Sequence, residues 1–360
     1  MKRLAAPAPR RDLTTGLPDP DLLPALAPAL ARVDLPTRLK LSEDEPVDPE
    51  LRELAVAWFT ADGVPAEAIA VAGGALDGIE RVLQAHLAPG DRVAIEDPAY
   101  PPFRDILLTL GLTIVPFAVD DRGPVPAALA AALDRGVDAV LLVPRAQNPF
   151  GSAIDRGRAA LLQDSFARHK GVLIVEDDHA GPVAGAPYAS AIPSDWPRWA
   201  VVRSVSKVLH PDLRLALIAG DETTVARVEG RQALGPGWVS RLLQALTAKL
   251  LEDPAFASMA ARAQDTYAAR REALIAALAI EGVQAHGRTG MNVWIPVQEE
   301  WQMLGSLLDR GLLVSAGDRF RIATPPAIRV TTASLRESEA SEIARTIASA
   351  AQTRRSNRAY

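Results

Sequence analysis

Lys207 closes the run Arg203-Ser204-Val205-Ser206-Lys207, and Arg214 follows seven residues later. The run continues Trp199–Arg203, an apolar stretch that predicts a buried strand, where an ammonium group is costly unless it has a partner or a reaction. A lysine in such a place suits Schiff-base formation with an aldehyde. Arg214, carried round by Pro211-Asp212-Leu213, can return beside it as the counter-charge of a phosphate. The pair therefore suits an aldehyde that bears a phosphate. Taken alone, Lys207 also reads as a surface lysine at a strand end.

Upstream, Asp138–Val143 and Gly171–Val175 are short β-branched runs between breakers, the pattern of buried parallel strands. The first leads into Pro144–Gly151 and the second into Glu176-Asp177-Asp178-His179. Three successive strands thus deliver Asn148, Asp177 and Lys207 at their carboxyl ends, 29 and 30 residues apart. That is the length of a strand–helix–strand unit, and such ends are where α/β sheets bind ligands. The phosphate-bearing aldehyde that fits is pyridoxal 5'-phosphate (PLP). With no Cys in the chain there is no disulfide and no thiolate metal site, and no metal is expected.

These residues resemble the fold type I superfamily of PLP enzymes, the aminotransferases of class I and II. Gly74-Ala75-Leu76 looks like the family's phosphate-cradling turn, Asp97-Pro98-Ala99-Tyr100 its ring-stacking segment, and Asn148-Pro149-Phe150-Gly151 its Asn-Pro-Thr-Gly motif. Asp177 and Ser204-Val205-Ser206-Lys207 complete the set. Gly16–Pro20 and the spacing of Asp177 to His179 are similar to the aminotransferase-like domains of MocR/GntR-type regulators, and Glu176–Pro182 to their PtsJ-like branch. The resemblance runs from about Leu13 to Ala351. It implies an α/β fold with a mostly parallel central sheet flanked by helices and a smaller α+β C-terminal domain. It also implies a homodimer, with Gly16–Pro24 suited to cross the interface.

By that resemblance, Lys207 and Asp177 are the catalytic residues, Lys207 as the Schiff-base lysine. Asp177 keeps the pyridine nitrogen protonated, so that the ring withdraws electrons. Gly74, Ala75 and Leu76 offer backbone N–H groups at a helix start to the phosphate, joined by Ser204, Ser206 and Arg214. Tyr100 stacks on the ring, and Asn148 donates to the phenolic oxygen. Arg329, in the predicted strand Ile328–Thr331, binds the substrate carboxylate in a bidentate pair. His179 stands where the family has Tyr and is expected to donate the same bond, titrating near neutral pH. Burial beside Arg214 is expected to lower the Lys207 pKa. Plainer readings stand beside these: Asp177 as a helix N-cap, Asn148 as a turn residue, Tyr100 as loop packing, His179 as a buried structural His, and Arg329 as a strand-edge cation.

The 360 residues carry a net charge of −5 and 48% hydrophobic residues, which fits a large globular protein and argues against a nucleic-acid surface. No stretch has the length of a signal peptide's apolar core or a membrane span, so a cytoplasmic protein with no membrane partner is expected. The divisions expected are an N-terminal tail and irregular segment over 1–49, a large PLP-binding domain over 50–250 and a small C-terminal domain over 251–360. Helices are predicted over Glu50–Thr60, Leu76–Leu87, two parts of Val239–Leu278 and Glu337–Ala351. Late strands are predicted at Met291–Pro296, Leu312–Ser315, Arg319–Ile322 and Ile328–Thr331. The function expected is amino-group transfer between an α-amino acid and a 2-oxo acid through Lys207. The alternative is a PLP-sensing effector domain of a MocR-like regulator without its DNA-binding module, since only eleven residues precede Asp12-Leu13.

Overall fold

The computed structural model describes residues 11–34 and 45–352. A two-residue strand, β1 (Arg11–Asp12), comes first. The central sheet follows: β2 (Ala68–Ala72), β3 (Arg92–Asp97), β4 (Thr113–Asp120), β5 (Gly123–Pro124), β6 (Ala139–Leu142), β7 (Leu173–Asp178), β8 (Trp199–Ser204) and β9 (Ala216–Gly220). Their order across the sheet is β2-β9-β8-β7-β6-β3-β4-β5. The neighbours β8, β7, β6, β3 and β4 run parallel, whereas β9 runs antiparallel between β2 and β8.

Because side chains alternate across a strand, each apolar run feeds two cores. Val140, Leu142, Ile174 and Val201 pack on one face with Leu51, Ala55 and Phe59 of the helix Pro49–Ala61. Leu141, Leu173, Val175 and Val202 pack on the other with Ile79, Val82 and Leu83 of the helix Ala75–His86. Covering both faces explains why these strands read as continuous apolar runs. It also fixes the register that brings the ends of β6, β7 and β8 together.

A second sheet, β10 (Asn292–Pro296), β13 (Ala327–Thr331) and β12 (Ser315–Ala316), forms in the last third of the chain, while β11 (Leu312–Leu313) pairs with β1. Its core holds Leu274, Val293, Ile328 and Ile347, and also Leu13. The N-terminal stretch is thus part of the C-terminal core, whereas the sequence suggested only a tail and an irregular segment; Met1–Arg10 lie outside the described residues.

Two of the expected strands differ. Arg319–Ile322 is a turn, because the buried carboxylate of Asp97 accepts the N–H groups of Ile322, Ala323 and Thr324 at 2.7, 2.7 and 2.8 Å and takes them from any ladder. Leu312–Ser315 is split at Val314, so that β11 joins β1 and β12 joins β13. Among the described residues no helix is long and apolar enough to cross a membrane.

Behind the sheet ends lies a buried ion network. Arg145 holds Asp178 through Nε at 2.8 Å and Nη2 at 2.9 Å, Arg203 holds the same carboxylate at 2.7 Å, and both reach Asp62. Although burial opposes it, these guanidinium groups keep Asp178 charged and well below the usual carboxylate range. The Arg203 guanidinium also lies 4.6 Å from the Phe59 ring centroid and 5.1 Å from that of Trp58. Replacing Arg203 with Met is expected to cost about 3–5 kcal/mol, because Asp178 keeps its burial and loses a partner. Urea denaturation measures this, and a loss below about 1 kcal/mol, the level of a surface pair, would show the network to be expendable.

Candidate active site

The carboxyl ends of β6, β7 and β8 open onto a cavity of about 500 Å³. Ala75, Leu76, Tyr100, Asn148, Asp177, His179, Ser204, Ser206, Lys207, Arg214 and Arg329 all line it. Of the residues singled out from the sequence, only Gly74 stands just outside the wall.

Gly74 caps the helix Ala75–His86 with φ at +109°, a conformation that favours glycine. A Cβ there would come within 2.9 Å of Arg214 Nη2. Arg214 reaches this place because the 3-10 turn Pro211–Leu213, capped by His210, ends with Arg214 itself left-handed at φ +44°. A helix N-terminus with unspent N–H groups at Ala75 and Leu76, a guanidinium, and the cavity-lining Ser204 and Ser206 thus converge. This is the donor set of a phosphate site.

Asp177 is 3% exposed, and its Oδ1 has no hydrogen-bond partner. Burial first, then the charges of Asp178 and Glu96, push its pKa well above the ordinary carboxylate value. It does not cap a helix; it is the last residue but one of β7, on the cavity side, while Glu176 and Asp178 point to the opposite face with their own partners. A buried acceptor of this kind fits a protonated ring nitrogen.

Asn148 accepts from Arg329 Nη1 at 3.1 Å through Oδ1, which leaves its amide N–H groups free to donate into the cavity. Arg329 also donates to the carbonyl of Thr14 and, at 2.9 Å, to Ser315 Oγ, with its guanidinium over the Phe320 ring at 4.8 Å. It is 6% exposed and central to the cavity wall, not a surface cation at a strand edge. Tyr100 sits edge-on to Phe103, 5.7 Å between centroids.

Lys207 donates through Nζ to the carbonyl of Gly16. Its pKa falls to about 8, through burial and then the charge of Arg329. Arg214 is not the cation responsible: its side chain turns toward Gly74 instead. His179 corrects a second expectation. Its Nε2 lies 3.0 Å from the carbonyl oxygen of Ala146, and a carbonyl only accepts, so Nε2 carries the proton. Burial and then the Lys207 charge lower its pKa to about 4. The ring is therefore neutral at neutral pH, with Nδ1 a bare acceptor, and it has no second N–H to donate to a phenolic oxygen.

In the stretch Gly16–Pro24, Gly16 and Leu17 line the cavity, while Asp19 pairs with Arg270 at 2.8 Å and donates its backbone N–H to the Tyr267 hydroxyl at 2.9 Å. Sequence reasoning missed Arg319, Ser315 and Thr14, which also line the cavity. It missed Gln147 too, whose amide nitrogen joins Glu96 at 3.0 Å to the Pro98 carbonyl at 2.7 Å and so ties the Tyr100 segment to the Asn148 loop. No local pattern marks these residues, since each acts across a long loop of chain.

A parallel sheet with these groups at its carboxyl edge defines a PLP-binding protein of the aminotransferase type. The chain matches the family model "Aminotransferase class I and II" over residues 11–347 and belongs to that family. It is 39% identical to the vitamin B6 salvage pathway transcriptional repressor PtsJ of Salmonella typhimurium over 93% of this chain and 78% of that protein. Against the HTH-type transcriptional regulator TauR of Rhodobacter capsulatus, identity is 32% over 64% of this chain and 47% of TauR, about half that protein's length. Among solved structures, kynurenine aminotransferase of Pyrococcus horikoshii superposes with a TM-score of 0.87 at 21% identity, covering 95% of this chain and 90% of that one. The last match speaks for the fold alone, which is fold type I. PLP is the cofactor of the family, and the orphaned Asp177 carboxyl and the Gly74 cradle fit it.

Proposed function

We propose that this protein transfers the amino group of an α-amino acid to PLP and returns it to a 2-oxo acid. The observation that carries the reading is the meeting of Lys207, Asp177, Asn148 and Arg329 on one cavity wall. When bound, PLP supplies an aldehyde that takes up an amine and a ring that withdraws electrons from the substrate's α-carbon. Arg329 and Asn148 would hold the α-carboxylate, exchanging their mutual bond for bonds to it. Lys207 Nζ, poised near neutral pH, would hold the cofactor and then move the α-proton. Asp177 would keep a proton on the ring nitrogen, and Arg214 with Ser204, Ser206 and the N–H groups after Gly74 would anchor the phosphate. We place the protein in the cytoplasm as a homodimer, for which sedimentation at twice the chain mass is expected.

The identity to the repressor PtsJ favours a second reading, in which the same site binds PLP as a signal and no amine leaves. One measurement separates them. Holoprotein mixed with each common amino acid is expected to change the cofactor's absorption and to release a stoichiometric 2-oxo acid with at least one of them. Full cofactor occupancy with no 2-oxo acid from any of them would favour the sensing reading.

A further inference from the structure

The loop 146–152, which presents Asn148 to the cavity, is closed at its base by one side chain from the second sheet. Thr289 stands three residues before β10 and is 2% exposed. Its hydroxyl oxygen accepts the N–H of Ala146 at 3.1 Å. The same oxygen lies 3.0 Å from the carbonyl oxygens of both Gly151 and Ser152, and its proton is donated there. The Thr289 N–H adds a bond of 2.8 Å to the Gly151 carbonyl. One partner is enough to satisfy a buried hydroxyl. This one meets three, and they are the two ends of a single loop.

Ala146 needs such a hold. Its φ is +53°, in the left-handed region that a residue with a Cβ keeps only when its surroundings enforce it. Gly290, next to Thr289, packs so closely on Ala146 that a Cβ there would come within 2.7 Å of the alanine's own. From Ala146 two short routes lead to the cavity. Its carbonyl is the acceptor for His179 Nε2 at 3.0 Å. Two residues further on, Asn148 meets Arg329 Nη1 at 3.1 Å. Turning Ala146 out of the left-handed region would swing both its carbonyl and the chain that leads to Asn148, because φ and ψ are the only soft angles of the backbone.

We infer that Thr289 is a positioning residue, whose hydroxyl clasps the base of this loop and so sets Asn148 opposite Arg329 and fixes the tautomer of His179. The effect on the hold of an α-carboxylate by Asn148 and Arg329 rests on the cavity being a site of amino-group transfer. The effect on His179 stands without it.

The test has two readouts. Cofactor-free protein with nitrogen-15 in its histidines is followed by NMR, His179 being assigned by the signal lost in His179→Gln. Wild type is expected to hold the His179 ring in the single neutral form protonated at Nε2. Thr289→Val, which keeps the shape and removes the hydroxyl, is expected to give a mixture of tautomers, and Thr289→Ser, which keeps the hydroxyl, to leave the ring as it is. In holoprotein, 2-aminoisobutyrate, an amino acid without an α-proton, is titrated through the cofactor's absorption. Its binding is expected to weaken about ten- to a hundredfold in Thr289→Val, the worth of a buried N–H left unpaired, and to stay within about threefold in Thr289→Ser. Should the Val variant not fold, Thr289→Ala set against Thr289→Ser makes the same comparison. A His179 ring unchanged in Thr289→Val overturns the inference, as does equal weakening of the amino acid in Thr289→Val and Thr289→Ser. If wild type does not take up the amino acid while the His179 tautomers shift as expected, the reading of the cavity as a transfer site falls and the clasp stands.

Discussion

The Lys207→Ala protein is expected to keep its fold and lose its covalent cofactor. Lys207 sits in the turn three residues beyond β8, its pKa lowered to about 8. About one amine in ten is then free at pH 7, against roughly one in 2,500 for a lysine at the ordinary value. That enrichment, produced by burial and by Arg329, is what a carbonyl-reactive lysine requires. Borohydride treatment of wild type, followed by peptide mass analysis, is expected to fix the cofactor on the peptide that contains Lys207. The Ala variant is expected to show no adduct, and any amine transfer is expected to fall at least a hundredfold to ten-thousandfold, the range for a missing proton-transfer group. An undiminished adduct on another lysine in the variant would rule out the assignment. Because the folded pKa lies below the unfolded one, attachment should strengthen as pH rises toward 8 and fade below about 7.

Asp177→Asn is expected to act in opposite directions with and without cofactor. In protein stripped of PLP, the carboxyl is buried, without a partner at Oδ1 and raised in pKa. A raised acid stabilises the fold fully below its unfolded pKa of about 3.9, and that contribution is lost as pH rises through the folded value. The cofactor-free variant should therefore match or exceed wild type in stability at pH 7, and should lose this part of the pH slope. With PLP bound, the same carboxyl would pair with the ring nitrogen. Its removal is expected to cost about 3 kcal/mol or more, at least two orders of magnitude in cofactor affinity. Thermal denaturation with and without PLP reads both signs in one experiment. A variant destabilised equally in both states would make Asp177 a structural residue.

The sequence by itself determined the sheet and most of the cavity wall. Continuous apolar runs can be stable only when both faces are covered, so β6, β7 and β8 announced themselves as parallel neighbours. The residues at their ends, Asn148, Asp177 and Lys207, then had one place to meet. Gly74 was legible through the resemblance and its place between a strand and a helix start; its positive φ and its closeness to Arg214 came only with the structure.

What the tertiary structure decided depends on contacts between residues far apart in the chain. The antiparallel course of β9 is invisible in a run that is apolar whichever way it points. The tautomer of His179 is set by the Ala146 carbonyl, 33 residues away, and its neutrality by burial first and then by the field of Lys207; an imidazole's ordinary pKa says nothing of either. Lys207 is tuned by burial and then by Arg329, not by Arg214 seven residues on, whose left-handed backbone carries its side chain toward Gly74. Arg319–Ile322 has the composition of a strand, yet the carboxylate of Asp97, more than 220 residues earlier, accepts the backbone N–H groups of Ile322 and of the two residues that follow it. Local pattern fixes which residues are buried and which way a chain segment alternates. Which charge meets which is settled only when the two sheets close on one another, because electrostatic energy depends on distances that no spacing along the chain encodes.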